Sequence, residues 1–166
     1  MGELVMNGIL ERAAVAWLAL LVSSSTLAVA PAWDESKVIR EATGGQLKAP
    51  KGKYFDKTCN QTLDYEATVV DLNGDGQPEV FTQVEGTCLG GMAGVFLNLY
   101  VKNSAGRWQP QFGFPGMYET LKTGNKGYPD ILIGGPGFCH PVWRWNGSQY
   151  ALYKQVAEQK GGCSGR

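Results

Sequence analysis

The ten residues 71–80, DLNGDGQPEV, constrain the fold more than any other stretch of this chain. The segments on either side, residues 68–70 and 80–81, consist of the β-branched and aromatic residues that are common in strands. Gly74 and Gly76 permit a tight curve between these two segments. The sequence therefore predicts two antiparallel strands that this short loop joins.

The loop also places oxygen-bearing groups at every second position. Asp71, Asn73 and Asp75 occupy positions 1, 3 and 5, the backbone carbonyl of Gln77 occupies position 7, and Glu79 occupies position 9. Calcium prefers roughly six to eight oxygen ligands of these kinds. A metal-free turn is the alternative, because Asp, Asn and Gly favour such turns. The loop favours calcium, since its carboxylates would repel one another without a cation.

The identity of position 12 separates this loop from a helix–loop–helix calcium site. Position 12 is Thr82 instead of a bidentate acid, and the flanks are strand sequences. The segment D-L-N-G-D-G-Q-P-E-V-F instead resembles the calcium hairpin of the FG-GAP/VCBS repeat family, the type found in the integrin α-chain N-terminal propeller and in exported bacterial proteins. The resemblance implies that the five groups above hold one Ca²⁺ between two antiparallel strands. Glu79 departs from the family pattern, which has Asp there.

A second segment repeats the pattern that follows the loop. Residues 76–81 read GQPEVF and residues 127–132 read GYPDIL, and each is followed by an aromatic hairpin. We therefore expect a mainly β fold: an antiparallel meander of two blade-like units, too few to close a propeller. Residues 33–43 predict one short N-terminal helix, capped by Asp34 and ended by glycines.

The second unit lacks the acidic loop. Lys122, Gly124 and Lys126 stand where the first unit has its three ligands. We expect one calcium ion in the protein, with a lysine ammonium near Asp130 in place of a second.

Further strands are expected along the chain, whereas residues 46–63 look like an irregular, lysine-rich connection. The expected strands are residues 66–70, 79–85, 94–102, 107–112, 129–133, 142–145 and 149–153.

The N-terminus has the layout of a secretory signal. An uncharged apolar run at residues 13–22 precedes serines and small residues, with cleavage after Ala30 or Ala32. We expect residues 1–32 to be a signal peptide and residues 33–166 to be a single β-rich domain, periplasmic or secreted. An uncleaved membrane anchor is the alternative.

All four cysteines lie in the expected exported part, which predicts two disulfides in an oxidising compartment. Three pairings are possible. The pairs Cys59–Cys88 and Cys139–Cys163 are favoured because each joins neighbouring regions of the chain. The spacing does not suit zinc, because the chain has no C-x-x-C pair and only one histidine.

Few residues suggest catalysis. His140 follows Cys139, but adjacent strand residues point to opposite faces and cannot readily pair. The glycine-rich residues 134–139 lack the ending of a phosphate loop, and spacing cannot establish whether Glu119 and Asp130 form an acid pair. The formal net charge of 0 gives no electrostatic case for nucleic acid or an anionic membrane surface.

Aromatic residues offer the remaining candidates for binding. Trp143 and Trp145 share a strand face and Tyr150 lies on the next strand, so core packing is the first interpretation and a platform for a sugar or partner is the second. We expect a non-catalytic exported protein that engages a protein partner, for example as an inhibitor or immunity protein. A carbohydrate- or surface-binding module is the alternative, and a hydrolase is favoured less.

Overall fold

The computed structural model describes residues 33–164, so the expected signal peptide and its cleavage sites lie outside the described residues. Within that range the chain forms nine strands, two short α-helices and one turn of 3-10 helix at Gly91–Ala93. The elements are α1 (Glu35–Ala42), β1 (Lys51–Asp56), β2 (Gln61–Val70), β3 (Glu79–Glu85), α2 (Thr87–Gly90), β4 (Val95–Lys102), β5 (Trp108–Pro115), β6 (Met117–Asn125), β7 (Tyr128–Gly134), β8 (Cys139–Trp145) and β9 (Tyr150–Ala157).

The strands form two antiparallel meanders, which confirms the expected fold class. The first sheet has the order β1-β2-β3-β4-β5 and the second has the order β6-β7-β8-β9. The first sheet has one more strand than the second, at its β1 edge. The pair β6–β7 therefore corresponds to the pair β2–β3, as the repeated segments GQPEVF and GYPDIL also indicate. The two connections lie together, since a Cβ built on Gly127 would be 3.6 Å from the Cβ of Asn73.

Helix α1 begins and ends as the sequence predicts. The Asp34 side chain accepts a hydrogen bond from the backbone N–H of Lys37 at 3.0 Å, which caps the first turn. Ile39 and Ala42 are buried against one face of the first sheet. The left-handed backbone at Gly44, with φ of 61°, turns the chain away after the helix.

The other face of the first sheet packs on the second sheet. Phe81 stacks on Tyr118 across this interface, with ring centroids 3.7 Å apart. The first sheet is thus the middle of three layers, which explains why β3 is buried on both faces. The buried residues between the sheets are Phe81, Leu97, Leu99, Val101, Phe112, Tyr128, Ile131, Ile133, Trp145 and Tyr150.

Residues 46–63 are not an irregular connection, as the sequence suggested, because they contain β1 and the start of β2. In β1 the residues alternate between exposed and half-buried. Lys51 and Lys53 occupy exposed positions and pair with Glu66 and Asp64 of β2 at 3.1 and 2.7 Å. β1 is an edge strand in which charged residues alternate with small or aromatic residues. It therefore lacks the alternation of apolar and polar residues by which a strand is predicted from sequence.

Strand β6 was also not predicted. Only Tyr118 and Leu121 along this strand are half-buried, and its other residues are exposed. The pairing with β7 is interrupted between Thr120 and Gly124. An edge strand with so little buried surface lacks the alternation that identifies a strand from sequence.

Both favoured disulfides are present. Cys59 and Cys88 link the β1–β2 turn to α2, with Cα atoms 6.0 Å apart. Cys139 and Cys163 link the start of β8 to the last described turn, with Cα atoms 4.8 Å apart. Each bridge is expected to contribute about 2–4 kcal/mol to the stability of the fold. None of the helices within residues 33–164 combines the length and hydropathy needed to span a membrane.

Leu99→Ala should test the interface between the sheets, because Leu99 is fully buried there. Removing its side chain from a packed core should lower the free energy of unfolding by about 2–5 kcal/mol. Urea unfolding followed by tryptophan fluorescence measures this loss. The control is Leu152→Ala at a 56% exposed leucine, which should change stability by less than about 0.5 kcal/mol. Equal losses in the two variants would contradict the described core.

Candidate functional site

The loop between β2 and β3 is held by its own side chains. Asp71 accepts hydrogen bonds from the backbone N–H groups of Gly74, Asp75 and Gly76 at 2.8–3.1 Å. Asn73 Nδ2 donates to Asp75 Oδ2 at 2.9 Å, and Asp75 Oδ1 accepts from the Gln77 N–H at 2.7 Å. The side chains of the first three expected ligands therefore bond within the loop, which is half-buried at Asp71 and Asn73 and exposed at Asp75.

Glu79 lies beneath this loop at the start of β3, with only 2% of its surface exposed. Its carboxylate accepts from the Leu72 N–H at 2.7 Å and from the Tyr128 hydroxyl at 3.1 Å. Burial raises the pKa of Glu79 to about 7, and the nearby carboxylates of Asp75 and Asp71 also raise it. Glu79 thus joins the loop to the second sheet and is electrostatically coupled to both aspartates.

The donor chemistry of this loop fits a hard cation. Asp71, Asp75 and Glu79 form no ion pair with any Lys, Arg or His of residues 33–164. Carboxylates, an amide oxygen and backbone carbonyls are the ligands that Ca²⁺ prefers. Their side chains do not surround one point, because no group of three or more His, Cys, Asp or Glu in the described chain is arranged to hold a metal ion.

The second unit neutralises its acid with arginine. Asp130 has no exposed surface and accepts from Arg144 Nε and Nη2 at 2.8 and 2.7 Å, and from the Thr123 hydroxyl at 2.6 Å. The hydrogen bonds from Arg144 hold the pKa of Asp130 below its ordinary value. Arg144 therefore takes the role that the sequence suggested for a lysine, while Lys126 packs against Gly147. Glu119, on β6, forms no hydrogen bond with Asp130, so the two acids are not a bonded pair.

The aromatic candidates belong to the packing between the sheets. Trp145 and Tyr150 are 8% and 2% exposed, and the Tyr150 hydroxyl donates to the Pro129 carbonyl at 2.9 Å. Trp143 is half-buried against Phe112 and Phe114, with ring centroids 5.6 and 5.1 Å away. Of the three candidates, only Trp143 borders a surface hollow, which it shares with Leu152.

A surface groove of about 560 Å³ lies at the end of the second sheet, at a place that the sequence did not reveal. Met92 and Met117 stand on its rim with 90% and 57% of their surfaces exposed. His140 lies in it, with Nε2 3.4 Å from Glu158 Oε2. The groove is lined by Met92, Ala93, Met117, Glu119, Leu132, Gly134, Gly135, Pro136, His140, Val156 and Glu158.

Comparisons of this chain with family models, with curated proteins and with solved structures give no match.

Arg144→Met should show how much an unpaired buried carboxylate lowers the stability of the protein. Without the guanidinium, Asp130 keeps only the Thr123 hydroxyl as a partner, so the free energy of unfolding should fall by about 3–5 kcal/mol at neutral pH. Denaturant unfolding is the measurement. Lys53→Met is the control, since it breaks an exposed ion pair with Asp64 that contributes about 1 kcal/mol or less.

The pH dependence of these variants distinguishes charge from packing. The lowered pKa of Asp130 stabilises the native protein above the unfolded pKa of about 3.9, and this contribution disappears as the pH falls through the folded value. The deficit of Arg144→Met should therefore shrink in acid, where Asp130 becomes neutral. A deficit that is independent of pH would show that lost packing, not an unpaired charge, causes it.

Proposed function

We propose that this chain is an exported, non-catalytic binding protein that one structural calcium ion stabilises and that engages a protein partner through the groove beside His140. Two disulfides are compatible with an oxidising compartment outside the cytoplasm. The observation that carries the partner proposal is the pair of exposed methionines on the rim of this groove.

Exposed apolar side chains in a groove favour a macromolecular partner. Contiguous apolar patches are uncommon on monomeric proteins and often mark interaction sites. Met92 and Met117 flank the half-buried Leu132 and Val156, and methionine adapts its shape readily to a bound surface. These four side chains offer one apolar strip to a partner.

The charges around the strip define the partner further. Glu119 and Glu158 line the groove, whereas none of its lining residues is Lys or Arg. Electrostatic complementarity therefore favours an apolar partner segment that carries a lysine or arginine. An inhibitor or immunity protein would act through such a surface.

The calcium proposal rests on the uncompensated charge of the loop. Burial raises the pKa of Glu79 and the charges of Asp75 and Asp71 raise it further, and no cationic side chain in the described part of the chain pairs with these three acids. We infer that Asp71, Asn73, Asp75, Glu79 and the carbonyl of Gln77 hold one Ca²⁺, as the resemblance to the FG-GAP/VCBS hairpin implies. A bound Ca²⁺ would supply positive charge that offsets this repulsion.

Met117→Asp should test the groove. The substitution places a third acid beside an apolar strip already flanked by acids, and should weaken partner binding by roughly 30-fold if Met117 contributes as an interface anchor does. A photo-crosslinking side chain at position 92 first captures the partner from the exported fraction, and titration with the purified partner then measures affinity. Phe55→Asp is the matched control, because Phe55 is also 57% exposed but lies on β1.

An equal loss of affinity in Met117→Asp and Phe55→Asp would contradict the groove as the binding surface. A purified partner that binds both variants as tightly as the unaltered protein would contradict it as well.

Calcium should raise the melting temperature of the protein relative to EDTA. With free Ca²⁺ tenfold above its dissociation constant, the native state gains about 1.4 kcal/mol, which corresponds to a shift of a few degrees. Differential scanning calorimetry measures the shift. Asp75→Asn should reduce the shift, because it removes one of the proposed carboxylate ligands and, in EDTA, part of the repulsion that acts on Glu79. Asp64→Asn, at an exposed acid on β2, should retain the full shift.

Identical melting temperatures in calcium and in EDTA would overturn the calcium proposal. An equal response of Asp75→Asn and Asp64→Asn would place any calcium effect outside this loop.

A further inference from the structure

A half-enclosed cavity of about 200 Å³ lies on the helix-facing side of the first sheet. Thr82 and Asn98 are paired across β3 and β4, and Gly113 on β5 follows beside Asn98. A Cβ on Gly113 would come within 2.7 Å of Asn98 Oδ1, so the glycine leaves room for this amide. The cavity is lined by Gln46, Leu47, Tyr54, Asp56, Thr82, Val84, Leu89, Phe96, Asn98 and Tyr100.

Polar groups follow one another along the cavity. The Tyr54 hydroxyl donates to Asp56 Oδ2 at 3.0 Å, and Asn98 Nδ2 donates to Thr82 Oγ1 at 3.3 Å. Burial raises the pKa of Tyr100, which also lines this cavity. Two phenols, a hydroxyl, an amide and a carboxylate thus line one small space.

The charge of the cavity is a single carboxylate. The hydrogen bond from the Cys59 N–H, at 2.9 Å, lowers the pKa of Asp56 and favours its ionised form. None of the lining residues is Lys, Arg or His, so Asp56 has no cationic partner within the cavity. The rest of the lining includes the apolar residues Leu47, Val84, Leu89 and Phe96.

The cavity combines hydrogen-bonding groups with apolar side chains. Asn98 is half-buried, and its amide donates to Thr82 Oγ1 while its Oδ1 accepts no hydrogen bond from the described residues. Gln46 is exposed, so water can satisfy its amide. The Asn98 amide is therefore the group in this lining that a ligand could pair.

We propose that this cavity binds a single saccharide ring, whose hydroxyls meet Asp56, Asn98 and Tyr100 and whose C–H surface packs on Phe96 and Leu89. A small organic amine would satisfy the carboxylate but would leave the second N–H of the half-buried Asn98 amide unpaired. The cavity is smaller than the roughly 300–1,000 Å³ typical of pockets for drug-sized ligands, which restricts the occupant to about one ring.

This site is separate from the proposed partner groove. No residue lines both, and the cavity lies in the layer between α1 and the first sheet, whereas the groove lies on the second. The saccharide proposal therefore stands or fails without the partner proposal. It also differs from a platform built on Trp143, which lies between the sheets.

The test is titration of the purified protein with glucose, galactose, mannose and N-acetylglucosamine, each followed by saturation-transfer NMR. One ring provides few atoms, so a dissociation constant of about 1 mM is expected for the sugar that fits. Tyr100→Phe removes one hydroxyl but keeps the ring, and should weaken binding by roughly three- to tenfold with an unchanged melting temperature. Asp56→Asn keeps one acceptor oxygen for the Cys59 N–H, and its amide can donate to the Tyr54 hydroxyl, but it removes the negative charge and should weaken binding by a similar or larger factor.

Tyr153→Phe is the matched control, since Tyr153 is half-exposed on β9 and outside the cavity, and it should bind the sugar as the unaltered protein does. Failure of all four sugars to bind would overturn the proposal. Preferential binding of ethanolamine, used as a cationic probe, would overturn the ligand class. Sugar binding that persists unchanged in both Tyr100→Phe and Asp56→Asn would overturn the location.

Discussion

The carboxylate of Glu79 is the contact on which the arrangement of the two units depends. It accepts one hydrogen bond from the β2–β3 loop and one from Tyr128 on β7, a residue 49 positions away in sequence. Through it, the acidic loop, the middle strand of the first sheet and the start of the second sheet meet at one buried point. A buried carboxylate destabilises the fold unless its charge is offset. Each unit therefore needs positive charge or hydrogen-bond donors around its buried acid.

The two units stabilise their buried acids differently. In the second unit Arg144 donates two hydrogen bonds to Asp130. The Tyr153 ring packs on the guanidinium, with its centroid 3.6 Å from Arg144 Cζ. In the first unit Glu79 has only neutral donors, and two further acids stand close to it. One unit carries its compensating cation in the sequence, whereas the other would need the proposed Ca²⁺ to supply one. This contrast is the reason for proposing one calcium ion in a chain with two related units.

Local signals in the sequence were sufficient for the elements that have a regular apolar period or a strong turn. Strand β3 begins at Glu79 and ends at Glu85 as predicted, and Asp34 caps α1 as predicted. Strands β1 and β6 were not predicted, because edge strands bury few side chains. In β1 the exposed positions of the alternation include lysines, and β6 has no regular alternation of apolar and polar residues. The disulfide pairs followed from proximity along the chain, which short-range reasoning can judge.

The functional surfaces could not be predicted in the same way. The groove brings together Met92 after α2, Met117 at the start of β6 and Val156 in β9, three segments that only the tertiary fold makes neighbours. The contact between Arg144 and Asp130 also depends on tertiary structure, because the sequence suggested a lysine instead. A site assembled from side chains on separate elements leaves no spacing in the sequence to detect, whereas a site within one loop does.

The three-layer order has a consequence for how binding at one site would affect the other. The proposed cavity and the proposed groove share no residue, but Leu89 of the cavity and Met92 of the groove both lie on the continuous segment of α2 and the 3-10 turn. Coupling between a small ligand and a partner would need two arrangements of an element that both sites contact, and this short segment is that element. Strand β3, which is buried on both faces and anchored at Glu79, is not expected to transmit such a change.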